Sequence, residues 1–249
     1  MTSAREGSFT PCRSLVAMLL AASLALGSGC ARPLLQRAIA ARGGPLTTLS
    51  RDVEADVYAG FPGTWTWRFD YRVPDSLRWT IQTYGEEQSV SFDGKAVRFY
   101  LGDAPVAAPP GLGDFRSQVR WLTVTTLDAL ADDDQIVVRE LAASELPAGA
   151  ASGLAVTYRD DGARYGLYFD AADLLIAAEG PIVLPTIAAG QMHAAFTEFG
   201  AAGEYRLPYR GSYTLDARPF FDERILRYAP NDPRLTPASF SGPPVAAAR

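Results

Sequence analysis

Trp65-Thr66-Trp67-Arg68-Phe69-Asp70-Tyr71-Arg72-Val73, closed by Pro74-Asp75-Ser76, is the stretch on which the fold turns. Aromatic or β-branched residues hold the odd positions and polar residues the even ones. Successive side chains of a strand point to opposite faces, so this period of two predicts a strand. Trp65, Trp67, Phe69, Tyr71 and Val73 share one face; Thr66, Arg68, Asp70 and Arg72 share the other, which is expected to be solvated. The pattern continues on both sides. Upstream, Val53, Ala55, Val57 and Ala59 alternate with Asp52, Glu54, Asp56 and Tyr58, and Phe61-Pro62-Gly63 turns the chain. Downstream, Leu77, Trp79 and Ile81 lie opposite Arg78, Thr80 and Gln82. Val90 and Phe92 run into Asp93-Gly94, a hairpin signal because both residues tolerate positive φ. Val97, Phe99 and Leu101 extend the meander.

Pro33 to Arg42 reads as a short helix with Leu34, Leu35, Ala38 and Ile39 on one side, ended by Gly43-Gly44. Residues 103–113 are rich in Pro, Gly and Ala and read as a loop. Asp114 is placed to cap a helix reaching Leu130, with Phe115, Val119, Leu122 and Leu130 as its apolar stripe. Thr123 to Thr126 weaken it, because β-branched residues favour strands. Asp132-Asp133-Asp134 predicts a solvated turn. Strands are then expected over 135–141, 153–159, 163–169, 174–179, 191–199 and about 211–215, with Asp161-Gly162 as a second hairpin signal. From Pro230 a Pro-rich tail is expected to be extended. The sum is a mainly β domain with some α: a long antiparallel meander, one apolar face on nearly every strand, curling around helices packed into its mouth. A closed, ligand-holding barrel fits the same pattern.

The amino terminus carries a different signal. Arg5 and Arg13 precede an apolar run from Ser14 to Leu26, and Gly27-Ser28-Gly29 leads to Cys30. A basic start, an apolar middle and small residues before a cut make a secretory signal over residues 1–29. Cys30 at the first position after the cut reads as the lipidation site of a bacterial lipoprotein. The run is shorter than the about 20 apolar residues that span a bilayer. Anchoring therefore falls to acyl chains, each worth about 0.8 kcal/mol per buried CH2. Residues 30–249 then form one domain. Cys12 leaves with the signal and Cys30 is acylated, so no disulfide is expected and the apolar core carries the fold.

Composition narrows the function classes. The formal net charge is −5, and loss of Arg5, Glu6 and Arg13 makes the mature chain more acidic, a poor match for nucleic acid. Lys95 is the single lysine among 23 basic residues, a bias of the genome rather than of function. No HExxH, CxxC, GxSxG or P-loop pattern occurs. The single histidine, His193, sits in an alternating run and reads as structural rather than as a ligand. No enzyme activity, metal or cofactor is expected. The positive signal is the apolar face formed by Trp65, Trp67, Phe69, Tyr71, Trp79, Ile81, Val97, Phe99 and Leu101, which by itself reads as a sealed core sooner than as a cavity wall.

Arg72-Val73-Pro74-Asp75-Ser76-Leu77-Arg78-Trp79, then Ser91-Phe92-Asp93-Gly94-Lys95, then Phe99-Tyr100, resembles the core stretch of the outer-membrane lipoprotein carrier and receptor (LolA/LolB-like) family. Asn231-Asp232-Pro233, Phe240 and Pro243-Pro244 are similar to that family's C-terminal pattern. The resemblance implies an incomplete, unclosed antiparallel β-barrel with helices covering its concave side, and an apolar cavity that takes acyl chains of lipids or lipoproteins. It also implies an outer-membrane, periplasm-facing, lipid-anchored protein that sorts lipoproteins or transfers lipid. Ala31 after Cys30 agrees with outer-membrane delivery where enteric-type sorting holds. Two positions depart from the pattern. Val73 stands where the soluble carrier has an arginine that helps latch its lid, so no latch is expected from that residue. The turn at Pro74-Asp75-Ser76 is too short for the receptor's protruding apolar loop, leaving Phe61 as a substitute tip. The competing expectation is a structural or regulatory envelope lipoprotein that holds a protein partner at its sheet edge and apolar rim.

Overall fold

The computed structural model describes residues 31–83, 86–107, 115–184 and 188–243. Cys30, the segment before it and the expected cap Asp114 lie outside the described residues.

Helix α1 covers residues 31–41, and Gly43 and Gly44, at φ 112° and 115°, stop it where the sequence predicts. A meander follows: β1 (Thr48–Val57), β2 (Gly63–Arg72), β3 (Ser76–Thr83), β4 (Glu86–Asp93) and β5 (Val97–Leu101), each antiparallel to the next. A short β6 (Ala104–Val106) occupies part of the expected loop and pairs with β5. Helix α2 is shorter than predicted, Arg116–Thr126. Leu127 takes φ 70°, which an α-helix cannot continue through, and a 3-10 turn, Asp128–Ala131, follows. The second meander comprises β7 (Ile136–Glu140), β8 (Ser152–Tyr158), β9 (Arg164–Phe169), β10 (Leu175–Leu184), β11 (Ala188–Ala202), β12 (Tyr205–Leu215) and β13 (Arg218–Pro230).

Among the described residues, 13 strands form one sheet in the order β6-β5-β4-β3-β2-β1-β13-β12-β11-β10-β9-β8-β7. The chain starts at the middle, walks out to one edge, crosses through α2 to the other edge, and walks back. The two edges, β6 and β7, do not pair with each other, so the barrel is not closed. Strand β13 closes the walk by pairing with both β12 and β1. Sequence reading misses it, because Asp222-Glu223-Arg224 interrupts its apolar pattern and two bulges shift its period. Strands β10, β11 and β12 also run well past their expected ends.

Register sorts the side chains. Leu49 faces Tyr71, Arg51 faces Phe69, Val53 faces Trp67 and Ala55 faces Trp65 across β1 and β2. This row belongs to the sheet's apolar face, on which α1 and α2 pack. Ala31, Leu34, Leu35 and Ala38 of α1 and Trp121 and Val124 of α2 share a core with Leu154, Val156, Leu167, Phe169 and Ala194. On its other flank α2 places Val119 and Leu122, with Phe115 just before it, against Tyr71, Leu77 and Val90.

The opposite face corrects two expectations. Asp70, Arg78, Ser89 and Ser91 are buried there rather than solvated, and Arg68 is half-buried, bonding Asp70 Oδ1 through Nε at 2.9 Å. What covers them is the tail. Instead of staying extended, it forms a one-turn helix, α3 (Ala238–Ser241), against β3 and β4, with Phe240 fully buried. Arg78 donates to the Gly242 carbonyl. A buried guanidinium and a fully buried phenyl ring hold the tail more firmly than its proline content suggests.

Candidate functional site

Strand pairing brings the predicted aromatic and aliphatic residues onto one face. Trp67 lies opposite Ile81, Phe69 opposite Trp79, and Tyr71 opposite Leu77. Trp79 lies opposite Val90, which lies opposite Phe99; Ile81 and Leu101 both flank Gln88; Val97 lies opposite Phe92. The rings touch. Phe69 stacks on Trp79 with centroids 6.0 Å apart, and Trp67 meets Phe69, Trp79 and Phe221 edge-on at 6.2, 6.1 and 5.8 Å. Edge and offset contacts at this spacing suit the ring quadrupoles.

The face has two ends. At one, Tyr71 is buried and Val97 and Phe99 pack with Phe115, Val119 and Leu122, so α2 seals it. At the other, Val53, Ala55, Trp67 and Ile225 form a floor with Trp65, Trp79, Ile81, Tyr209, Phe221 and Tyr228 packed on it. Every member of this second cluster comes from a strand. Trp65, Phe69, Trp79 and Ile81 are half-buried, and Leu101 is 40 % exposed at the β5 edge. The Trp67 and Trp79 indole nitrogens are buried without a hydrogen-bond partner. Two cavities lie elsewhere: one of about 480 Å3 between α1 and β7, lined by Ala31, Leu35, Leu130 and Ile136 among others, and one of about 400 Å3 beside the β12–β13 turn. The predicted face lines neither of them.

A latch does tie α2 to the sheet, but from Tyr71, two positions before Val73. The Tyr71 hydroxyl donates to the Pro74 carbonyl at 2.6 Å and lies 3.0 Å from Thr123 Oγ1 of α2. Burial pushes the Tyr71 pKa up, so the phenol stays protonated and able to donate. On the other flank, Arg120 bonds Asp160 and Asp161 of the β8–β9 turn, and its guanidinium lies 4.2 Å from the Tyr158 ring centroid. Arg42, at the end of α1, bonds both carboxylate oxygens of Asp128 at 2.9 and 3.0 Å. Thus α2 is fastened to both halves of the sheet.

Sequence reading missed two charged residues on the apolar face. Arg51 Nη1 donates to Glu223 Oε1 at 3.0 Å, the Tyr213 hydroxyl donates to the same oxygen at 2.6 Å, and the Arg51 guanidinium sits 4.8 Å from the Phe69 centroid. Burial by itself would lower the Arg51 pKa; Glu223, together with Tyr213 and Tyr228, outweighs it, so the pKa is raised and the guanidinium stays charged. Burial, with Glu223 beside it, raises the Tyr213 pKa well above its ordinary value. Gly211 makes room, since a Cβ there would meet the Tyr213 ring at 2.8 Å and Glu223 Oε1 at 3.0 Å. The signal for Arg51 was present, because Leu49, Arg51, Val53 and Ala55 are in phase. Glu223 was hidden with its unrecognised strand. His193 is exposed on β11, opposite Glu179 and Thr214. Phe61 stands 64 % exposed at the β1–β2 turn. Among the described residues no group of three His, Cys, Asp or Glu is arranged to hold a metal, and no helix is long and apolar enough to cross a membrane.

A LolA superfamily protein from Nitrosomonas europaea has a crystal structure that covers 84 % of this chain and 96 % of its own, with a TM-score of 0.57 at 12 % identity. This chain has a LolA-like fold. The crystal structure of a DUF1329 family protein from Desulfovibrio piger is also similar to this chain, with a TM-score of 0.53, 11 % identity and the same coverage of 84 % and 96 %. No protein-family model and no curated protein matches the sequence. At such identities the likeness lies in the fold, not in any particular residue.

Proposed function

We propose that this is a lipid-anchored periplasmic protein that holds acyl chains of lipids or lipoproteins on the apolar face of its unclosed barrel. In this reading the sheet curls so that α1 and α2 cap its concave side, and the protein serves lipoprotein sorting or lipid transfer at the outer membrane. Exchange needs no covalent chemistry: α2 releases, chains settle on the aromatic floor, and a partner or a membrane removes them. The observation that carries the reading is the strand-built aromatic cluster around buried Trp67, with Trp65, Phe69, Trp79 and Ile81 half-buried and, among the described residues, no helix in the cluster, on a LolA-like fold. Such a surface suits hydrocarbon because burial is driven at about 25 cal/mol per Å2 and needs no directional partner.

Displacement of a fluorescent fatty acid tests it, using the mature chain with Cys30→Ser purified from the periplasm. Saturable binding that Trp67→Glu abolishes supports the reading; no binding of any long-chain lipid refutes it. Radioactive palmitate should label the unmutated chain and not Cys30→Ser, and an unlabelled wild type removes the anchor. The unpaired edges β6 and β7 favour a second reading, an envelope lipoprotein that adds a partner's strand. Co-purification of one protein without lipid would select it.

A further inference from the structure

Arg51 and Glu223 are charged residues set inside apolar rows, Arg51 between Leu49 and Val53 and Glu223 between Phe221 and Ile225. A buried ion pair is a poor source of stability, because removing both charges from water offsets most of their attraction. The fold nevertheless builds carefully around this one. A bulge in β13 leaves Leu226 as the extra residue, 50 % exposed, so that Tyr228 and Ile225 face Arg51 and Val53 respectively. Gly211 clears space for the Tyr213–Glu223 bond. Bulges that re-aim side chains are common beside functional sites.

The two charges are not equally used. Glu223 is 4 % exposed, and one of its oxygens already accepts from both Arg51 and Tyr213. Arg51 keeps 17 % of its side chain exposed, beside half-buried Phe69 and the aromatic floor. Its hydrogen bond to Glu223 runs from Nη1, and the Tyr213 and Tyr228 hydroxyls lie beside the guanidinium, whose planar fork carries five donors. A second oxyanion arriving from the aromatic side would find a fixed, permanently charged donor edge within a surface that otherwise offers hydrocarbon contacts. We infer that Arg51 reads the headgroup of the ligand, so that this face selects single-chain amphiphiles with an anionic head, carboxylate or phosphate, over neutral ones of equal chain length. The inference rests on the acyl-binding reading above and adds the ligand class.

The test is competition for the same fluorescent fatty acid on the mature Cys30→Ser chain, with laurate, dodecyl phosphate and dodecanol as competitors. One charge-assisted contact predicts that laurate or the phosphate competes about tenfold to a hundredfold better than dodecanol. The stronger of the two anions identifies the head. Arg51→Gln should remove the preference and spare dodecanol binding, and Arg51→Lys should restore part of it. Glu223→Gln, which frees Arg51 from its partner, should tighten the anions alone, an effect that a purely structural pair would not give. Equal competition by anion and alcohol in the wild type overturns the inference and leaves acyl binding standing. Failure of all three competitors overturns both. If Arg51→Gln does not fold, the wild-type ratio and the Glu223→Gln shift decide.

Discussion

Two ion pairs show how strongly a single residue's worth depends on where it sits. Arg42 and Asp128 are 9 % and 7 % exposed, and Asp128 also accepts from the Leu46 backbone N–H. Asp128→Ala leaves a buried guanidinium without its counter-charge, with only the Thr126 and Gly44 carbonyls to accept from it, so urea unfolding should show a loss of about 3–5 kcal/mol. Arg224 and Glu54 approach to 2.6 Å but are 51 % and 41 % exposed, and Arg224→Ala should change stability by about 0.5 kcal/mol or less, since water already solvates both charges. Tyr71 falls between them. Tyr71→Phe keeps the ring in the core and deletes only the hydroxyl shared with Pro74 and Thr123. A loss of about 1–2 kcal/mol is expected, read as a lower urea midpoint with an unchanged slope.

At the scale of elements, Asp93 organises the β4–β5 hairpin, and Phe240 with Arg78 holds the C-terminal turn. Asp93 accepts the Ala96 and Lys95 backbone N–H groups at 2.8 and 3.0 Å and pairs with Arg98 at 2.7 Å. The Ala96 bond, with Arg98 and Lys95 adding to it, lowers its pKa to about 2, from about 3.9 in an unfolded chain. The folded form therefore holds the proton less readily. The stabilisation is complete above about pH 4 and disappears as pH falls toward 2. Protection from hydrogen exchange in β4 and β5, relative to the intrinsic rate at each pH, should fall across that window in the wild type, and in Asp93→Asn it should be low already at neutral pH. For α3, Phe240 is fully buried against β3 and β4, although the helix has a single turn. Phe240→Ala should cost about 3–5 kcal/mol, the usual range for emptying a phenyl site. A change below 1 kcal/mol in urea unfolding would mean that the tail does not seal the sheet's polar face.

For the whole molecule, one sheet makes one cooperative unit, with its middle at the β1–β13 seam and its weak points at β6 and β7. Amides in β1 and β13 should exchange slowest and those in β6 and β7 fastest; edge strands as slow as the seam would mean that they are paired with another chain. The alternation around Trp65–Val73 was enough to set strands, faces and most turns, because period two and Asp-Gly hairpins are local properties of the chain. It also placed the aromatic residues on one side of the sheet, since residues in phase on neighbouring strands must share a side. What local pattern could not carry was anything that depends on distant pairing. Strand β13, with charges and two bulges, becomes a strand only because β1 and β12 supply its partners. Arg51 acquires meaning only when Glu223, remote in sequence, arrives beside it. The tail folds back because buried Arg78 offers donors to a carbonyl and the sheet offers Phe240 a dry site. Side-chain chemistry thus determined, by itself, which surfaces are greasy and which are polar. Only the tertiary structure decided which greasy surface is covered by helices and which polar one is buried, because burial is a property of what packs opposite, and that is set by the long-range order of the strands.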